Sequence, residues 1–204
     1  MKDQFYVNFP NVGFFGATVA DNELKTVRDE MLEIQQEFSL ADPIRLGHAC
    51  NLKQEYHLKK CLPDLEKIVI PLVKEYRQVF NFDDGSDRKF KLTKAWINFQ
   101  KKHEYFQNHT HHGTFSFALW LQVPFLIEDE IKFCSFPDHP VSTTSTFNFH
   151  YTDALGRINT WTIPVDKTYE NKIVLFPGSM THSVNPFYTS DSYRISVSGN
   201  IDYI

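Results

Sequence analysis

The sequence predicts a mainly β jelly roll preceded by helices, and three observations point there. Helical periodicity is confined to about the first 85 residues, and short strand signals fill about 90–204. The composition, 42% hydrophobic with 19 Phe and 9 Tyr against 8 Gly, is that of a densely packed β core. A chain of 204 residues with that content fits one domain, so a single unit over 1–204 is expected, helical over about 1–85 and β over about 90–204.

In chain order, Leu24, Val27, Met31, Ile34 and Phe38 recur at three and four positions, with Asp21 as the expected cap and Glu23 in the first turn. A second amphipathic helix follows Pro63, a good first-turn residue. It carries Leu65, Ile68, Leu72, Tyr76 and Val79 on one face and a kink at Pro71. Both apolar faces are expected to pack on a sheet. Residues 81–89, NFDDGSDRK, form a turn-rich break. Eight strands are then expected, about 91–99, 115–123, 130–136, 145–152, 158–165, 172–176, 180–184 and 192–200. That number suits a jelly roll.

Several function classes are disfavoured. Net charge is −4 with no basic run, so a broad nucleic-acid surface is not expected, although a small cleft could admit one flipped base. No apolar stretch reaches bilayer length, and MKDQFYVNFP lacks the basic and apolar regions of a signal peptide, so no membrane association and a cytoplasmic location (a host's cytoplasm if viral) are expected. Cys50, Cys61 and Cys134 are odd in number, widely spaced and without a C-x-x-C, and read as packing residues.

The chemistry concentrates in two segments. On the last strand Arg194, Ser196, Ser198 and Asn200 share one face, and Tyr193, Ile195 and Val197 the other. Arg194 and Ser196 can grip one carboxylate by a two-pronged ion pair and a hydroxyl, and the same pattern also describes an edge strand with a solvated face. His182 lies twelve positions earlier. In NHTHHGTFSFALWLQVP, His109 and His111 fall on one side of an extended chain and His112 on the other. His109, His111 and His182 would leave about three positions open in an octahedral metal shell. Three imidazoles and a water equally describe a catalytic zinc. Trp96 and Asn98 share a face of KLTKAWINF, Trp120 is expected to fill the barrel, and His150 reads as an ordinary histidine near its mouth.

The order H-x-H (His109-Thr110-His111), a strand over residues 116–122, F-P-x-x-x-x-H (Phe176-Pro177 to His182) and R-I-S (Arg194-Ile195-Ser196) resembles the Fe(II)- and 2-oxoglutarate-dependent oxygenases. More narrowly it is similar to members found in marine phages and bacteria, over roughly 91–200. The resemblance implies a cupin-like double-stranded β-helix with helices outside one sheet and a metal in its open mouth. It implies Fe(II) on His109, His111 and His182, and 2-oxoglutarate held at its far end by Arg194 and Ser196. By similarity to nucleic-acid demethylases, Asn98 would also hold 2-oxoglutarate. The expected reaction is hydroxylation of a substrate, a protein side chain or small metabolite rather than a nucleobase, with 2-oxoglutarate decarboxylated to succinate.

The superfamily pattern has a carboxylate where this chain has His111. A neutral ligand there leaves more positive charge on the metal. Glu104 and Asp153 are the carboxylates that could fold inward. The competing readings are a three-histidine dioxygenase without 2-oxoglutarate, a zinc hydrolase and an inactive jelly-roll binding protein. Residues 136–153, rich in Ser, Thr and aromatics, are expected to contribute to a substrate lid.

Overall fold

The computed structural model describes residues 13–44, 50–81, 89–134 and 143–204. The turn-rich break at 82–88 and the first part of the expected lid, 136–142, lie outside them. In chain order the elements are β1 (Phe15–Thr18), α1 (Lys25–Gln36), β2 (Glu55–Leu58), α2 (Leu62–Val79), β3 (Phe90–Gln100), β4 (Phe106–His109), β5 (Phe115–Gln122) and α3 (Ile127–Cys134). There follow β6 (Thr146–Thr152), β7 (Ile158–Pro164), β8 (Lys172–Pro177), β9 (His182–Val184) and β10 (Arg194–Tyr203).

The strands form a six-stranded sheet in the order β1-β8-β5-β10-β3-β2 and a four-stranded sheet in the order β4-β9-β6-β7. Pairing is antiparallel throughout. From β3 onward the chain repeatedly crosses between the sheets, which makes two interleaved sets of four strands, the double-stranded β-helix. β1 and β2 widen the larger sheet at its two edges.

Strand alternation then sorts the side chains. Ala95, Ile97 and Phe99 of β3, Phe115, Phe117, Leu119 and Leu121 of β5, and Ile195, Val197 and Ile201 of β10 face the helices, packing with Val27, Met31 and Ile34 of α1 and Leu65, Val69, Val73 and Tyr76 of α2. A smaller cluster, including Trp120, Phe147, Phe149, Ile163, Val174, Phe176 and Phe187, fills the space between the sheets. Residues 94, 96, 98, 100 and 194, 196, 198, 200 face that interior where it opens into a cavity.

The structure differs from expectation in five places. The stretch expected as a strand at 130–136 is largely α3: Ile131 and Phe133, which read as an apolar alternation, are 37% and 65% exposed, and the buried side chain is Glu130. Its carboxylate accepts the Tyr188 and Thr189 N–H groups at 2.9 and 2.7 Å and the Thr144 hydroxyl at 3.0 Å. The eighth strand of the β-helix is β4 instead. β1 and β2 lie within the part read as helical, and at four residues each they are too short to show a period. The buried line of α2 is Leu65, Val69, Val73 and Tyr76 rather than Ile68 and Leu72, and Val79 is 61% exposed. Asp21 does not cap the first helical turn. The Glu23 carboxylate accepts the Ala20 N–H at 3.2 Å, while Asp21 takes the Asn171 amide at 2.8 Å.

No helix among the described residues is long and apolar enough to cross a membrane. Cys50, Cys61 and Cys134 are free thiols.

Candidate metal centre

His109 closes β4 and His182 opens β9, and the two are register partners across the smaller sheet. His111 reaches the same point from the loop after β4. That loop is seated by two backbone hydrogen bonds, His111 N–H to Gly178 carbonyl at 2.7 Å and Gly178 N–H to Thr114 carbonyl at 3.0 Å. A Cβ on Gly178 would stand 2.0 Å from the Gly113 carbonyl oxygen, and one on Gly113 would meet Asn200 Cβ at 2.9 Å. Gly178 therefore lets the backbones that carry His111 and His182 touch, and Gly113 lets the His111 loop lie against β10.

The ligand nitrogens of His109, His111 and His182 lie within 4.8 Å of one another. Carbonyl oxygens of Gln107 and Met180 accept from Nδ1 of His109 and His182 at 2.8 and 2.9 Å, which leaves their Nε2 lone pairs free toward the cluster. Nε2 of His111 is 3.1 Å from Nε2 of His182. With metal–nitrogen bonds of about 2.1 Å, neighbouring ligands of one ion stand about 3 Å apart, so this pair already has ligand spacing. The donor set fits a divalent transition metal.

Aromatic rings enclose the cluster. His182, 2% exposed, stacks on Phe147 at 5.4 Å and meets Phe176 at 4.9 Å, and His111 lies 5.3 Å from Trp96. Burial is the first cause that pushes the His111 and His182 imidazoles down to about 3, and it lowers His109 as well. All three are neutral near pH 7, the form that binds metal.

No described carboxylate joins the cluster. Glu104 accepts the Lys101 N–H at 2.8 Å, and Asp153 holds its own turn through Arg157 and Leu155. His112 is exposed. His150 points away, to Ser183 Oγ and Thr160 Oγ1, each at 3.0 Å.

The histidines border a cavity of about 280 Å³ whose other wall is the larger sheet. Pairing across β2, β3, β10 and β5 puts Glu55, Asn98, Ser196 and Trp120 in one row, His57, Trp96, Ser198 and Ala118 in the next, and Gln100 and Arg194 at the inner end. The Asn98 amide donates to Ser196 Oγ at 3.4 Å, and its Oδ1 is buried without a partner.

Arg194 is 2% exposed, and burial pushes its guanidinium down to about 9, so it remains charged at neutral pH. Nε and Nη2 donate to Gln100 Oε1 at 3.1 and 2.6 Å, Nη2 also to the Asn185 carbonyl at 3.0 Å, and Nη1 to the Ser145 carbonyl at 3.0 Å. Among the described residues, one of its five N–H donors, on Nη1, has no acceptor. The edge-strand alternative for this face is thereby corrected: β10 is central in its sheet and its polar face is interior.

Sequence reasoning missed Gln100, which fixes Arg194, and the pair Glu55 and His57, which reach the cavity from β2. The alternation in Glu55-Tyr56-His57-Leu58 was the available signal, confined to four residues.

A family model described as "Putative 2OG-Fe(II) oxygenase" matches residues 94–200. No curated protein matches the chain. Among solved structures, a prolyl-4-hydroxylase of Pseudomonas putida is 11% identical, with 94% of this chain and 92% of that one covered and a TM-score of 0.57. The non-heme alpha-ketoglutarate-dependent epimerase SnoN from nogalamycin biosynthesis is 12% identical over 95% and 78%, TM-score 0.59. The carbocyclase SnoK from the same biosynthesis is 9% identical over 94% and 79%, TM-score 0.56. At such identities they share the fold with this chain, and their named reactions differ from one another.

Proposed function

The chain belongs to the 2OG-Fe(II) oxygenases, which use iron(II) and 2-oxoglutarate, and we propose that it acts as a dioxygenase hydroxylating its substrate. In this reading His109, His111 and His182 hold iron(II), and Arg194, Ser196 and Asn98 hold 2-oxoglutarate. The observation that carries it is the convergence of three neutral imidazoles on one point of a cavity whose inner end is a buried arginine.

When bound, iron and 2-oxoglutarate supply the oxidative chemistry, activating O2 at the expense of decarboxylating 2-oxoglutarate to succinate. The chain's share is binding, orientation and a dry site. The carbonyls of Gln107 and Met180 fix two imidazoles with Nε2 inward. Gln100 and the carbonyls of Ser145 and Asn185 hold the guanidinium in position before any diacid arrives. An incoming carboxylate would take the remaining Nη1 hydrogen and the Ser196 hydroxyl, and would replace the neutral Gln100 oxygen with an anionic acceptor. Phe147, Phe176 and Trp96 exclude water around the imidazoles.

Anaerobic titration with Fe(II) and then 2-oxoglutarate tests the division of roles. His182→Ala should lose metal first, and Arg194→Leu should weaken 2-oxoglutarate far more than metal. Equal effects on both ligands would sink it. Succinate formed only with Fe(II), O2 and 2-oxoglutarate present separates this reading from a three-histidine dioxygenase that ignores 2-oxoglutarate.

A further inference from the structure

The cavity contains one acid that the reading above does not use. Glu55 is 5% exposed and faces the interior from β2. Among the described residues no hydrogen-bond or ion-pair partner stands at its carboxyl. Its register partner on β3 is Asn98, whose Oδ1 also lacks a donor. A buried amide oxygen without a donor beside a carboxyl with no hydrogen bond on one cavity wall makes a place for a ligand N–H group, because buried polar atoms are almost always matched. Trp96, one row away, has an aromatic ring over which a cation, Lys94 Nζ, already stands at 5.8 Å.

The charged surroundings agree. Burial pushes the Glu55 carboxyl up to about 8, and Lys94 is the group that opposes this. Lys94 lines the same cavity, exposed, with its Nζ 5.8 Å from the centre of the Trp96 ring. His57 from β2 and Cys50 also line the cavity beside Glu55. With no ion pair at the carboxyl among the described residues, it is held as the neutral acid near pH 7, and a cation seated against it would let it ionise. Among the described residues no hydrogen bond or ion pair of the fold uses this acid, so a ligand is the economical explanation of its presence.

We propose that Glu55, with Oδ1 of Asn98, anchors a basic nitrogen of the substrate, so that the substrate is an amine- or guanidine-bearing molecule. This rests on the oxygenase reading for the role of the cavity. It leaves the Asn98 Nδ2 hydrogen that Ser196 does not take for 2-oxoglutarate and gives its Oδ1 to the substrate. Binding an ammonium or guanidinium converts neutral Glu55 to a carboxylate, and its proton leaves to solvent.

The test is calorimetric titration of the full chain, charged anaerobically with Fe(II) and 2-oxoglutarate, using n-butylamine and n-butylguanidine against n-butanol and n-butylurea. The charged probes should bind about tenfold or more tightly than the neutral ones, and Glu55→Gln should erase that preference. Near pH 7, titrations in buffers of differing ionisation enthalpy should show up to about one proton released by wild type and none by Glu55→Gln. Equal binding of charged and neutral probes, or a preference that survives Glu55→Gln, overturns the proposal. So does a Glu55→Gln variant with weakened 2-oxoglutarate binding, which would give Glu55 to the cosubstrate. Affinity for 2-oxoglutarate is read in the same samples, so its absence in wild type would count against the oxygenase reading, while the probe preference judges Glu55.

Discussion

At the scale of single residues, the cavity side chains trade stability for chemistry. Glu55 has a folded-state value of about 8, above the unfolded 4.5. Below pH 4.5 both states hold the proton and the group contributes nothing. Between 4.5 and 8 the folded state retains a proton that the unfolded state has lost, so stability falls as pH rises and levels off above about 8. The penalty is on the order of 3 kcal/mol at pH 7. Glu55→Gln should therefore raise the urea midpoint at pH 8 and leave it nearly unchanged at pH 4; a midpoint lowered at pH 8 would contradict the desolvation argument. His111 makes a complementary case. Restoring an anionic ligand with His111→Asp should tighten divalent-metal binding about tenfold, read by competition with a chelator. Weaker binding would mean that the loop cannot bring a shorter side chain to the ion.

At the scale of elements, two short pieces of backbone position the site. The contact between Gly113 and Gly178 holds the His111 loop against the turn before β9. Gly178→Ala puts a methyl 2.0 Å from a carbonyl oxygen, which backbone must move to relieve. The expected outcome is a loss of several kcal/mol and metal affinity reduced more than in a surface control, measured by unfolding and metal titration. α3 acts through Glu130, whose buried carboxylate gathers the Tyr188 and Thr189 N–H groups ahead of β10. Glu130→Ala strands those donors and should cost on the order of 3 kcal/mol.

These elements also show what the sequence could and could not convey. β3, β5, β6, β7, β8 and β10 were legible because each has seven or more residues of alternation, or five consecutive apolar residues. The Arg194, Ser196, Ser198, Asn200 face was legible for the same reason. α3 was misread because Ile131 and Phe133 are spaced as in a strand while the buried residue is a glutamate, whose burial depends on partners near 188 that no local pattern reveals. Gln100 and Glu55 escaped because their importance lies in cross-strand neighbours, Arg194 and Asn98, set by a register that only the assembled sheet defines.

At the scale of the whole molecule, the two cores divide the work. Helices and the larger sheet share the apolar layer, while the space between sheets combines an aromatic cluster with the polar cavity. Ligands that bind only the folded cavity must stabilise the whole domain: at one hundred times its dissociation constant, a ligand adds about 2.7 kcal/mol. Fe(II) followed by 2-oxoglutarate should raise the melting temperature in two steps, and Arg194→Leu should abolish only the second.

The register pairing of His109 with His182 carries a kinetic consequence as well. The partners are 182 − 109 = 73 positions apart, and all of β5 to β8 lies between them. Such a contact has a high loop-closure cost and forms only when nearly the entire topology is in place. A metal bridging it would then grip the native state but not the folding transition state. Added Fe(II) should slow unfolding and leave the refolding rate unchanged in stopped-flow measurements, so that iron acts as a latch on the finished barrel rather than a template for building it.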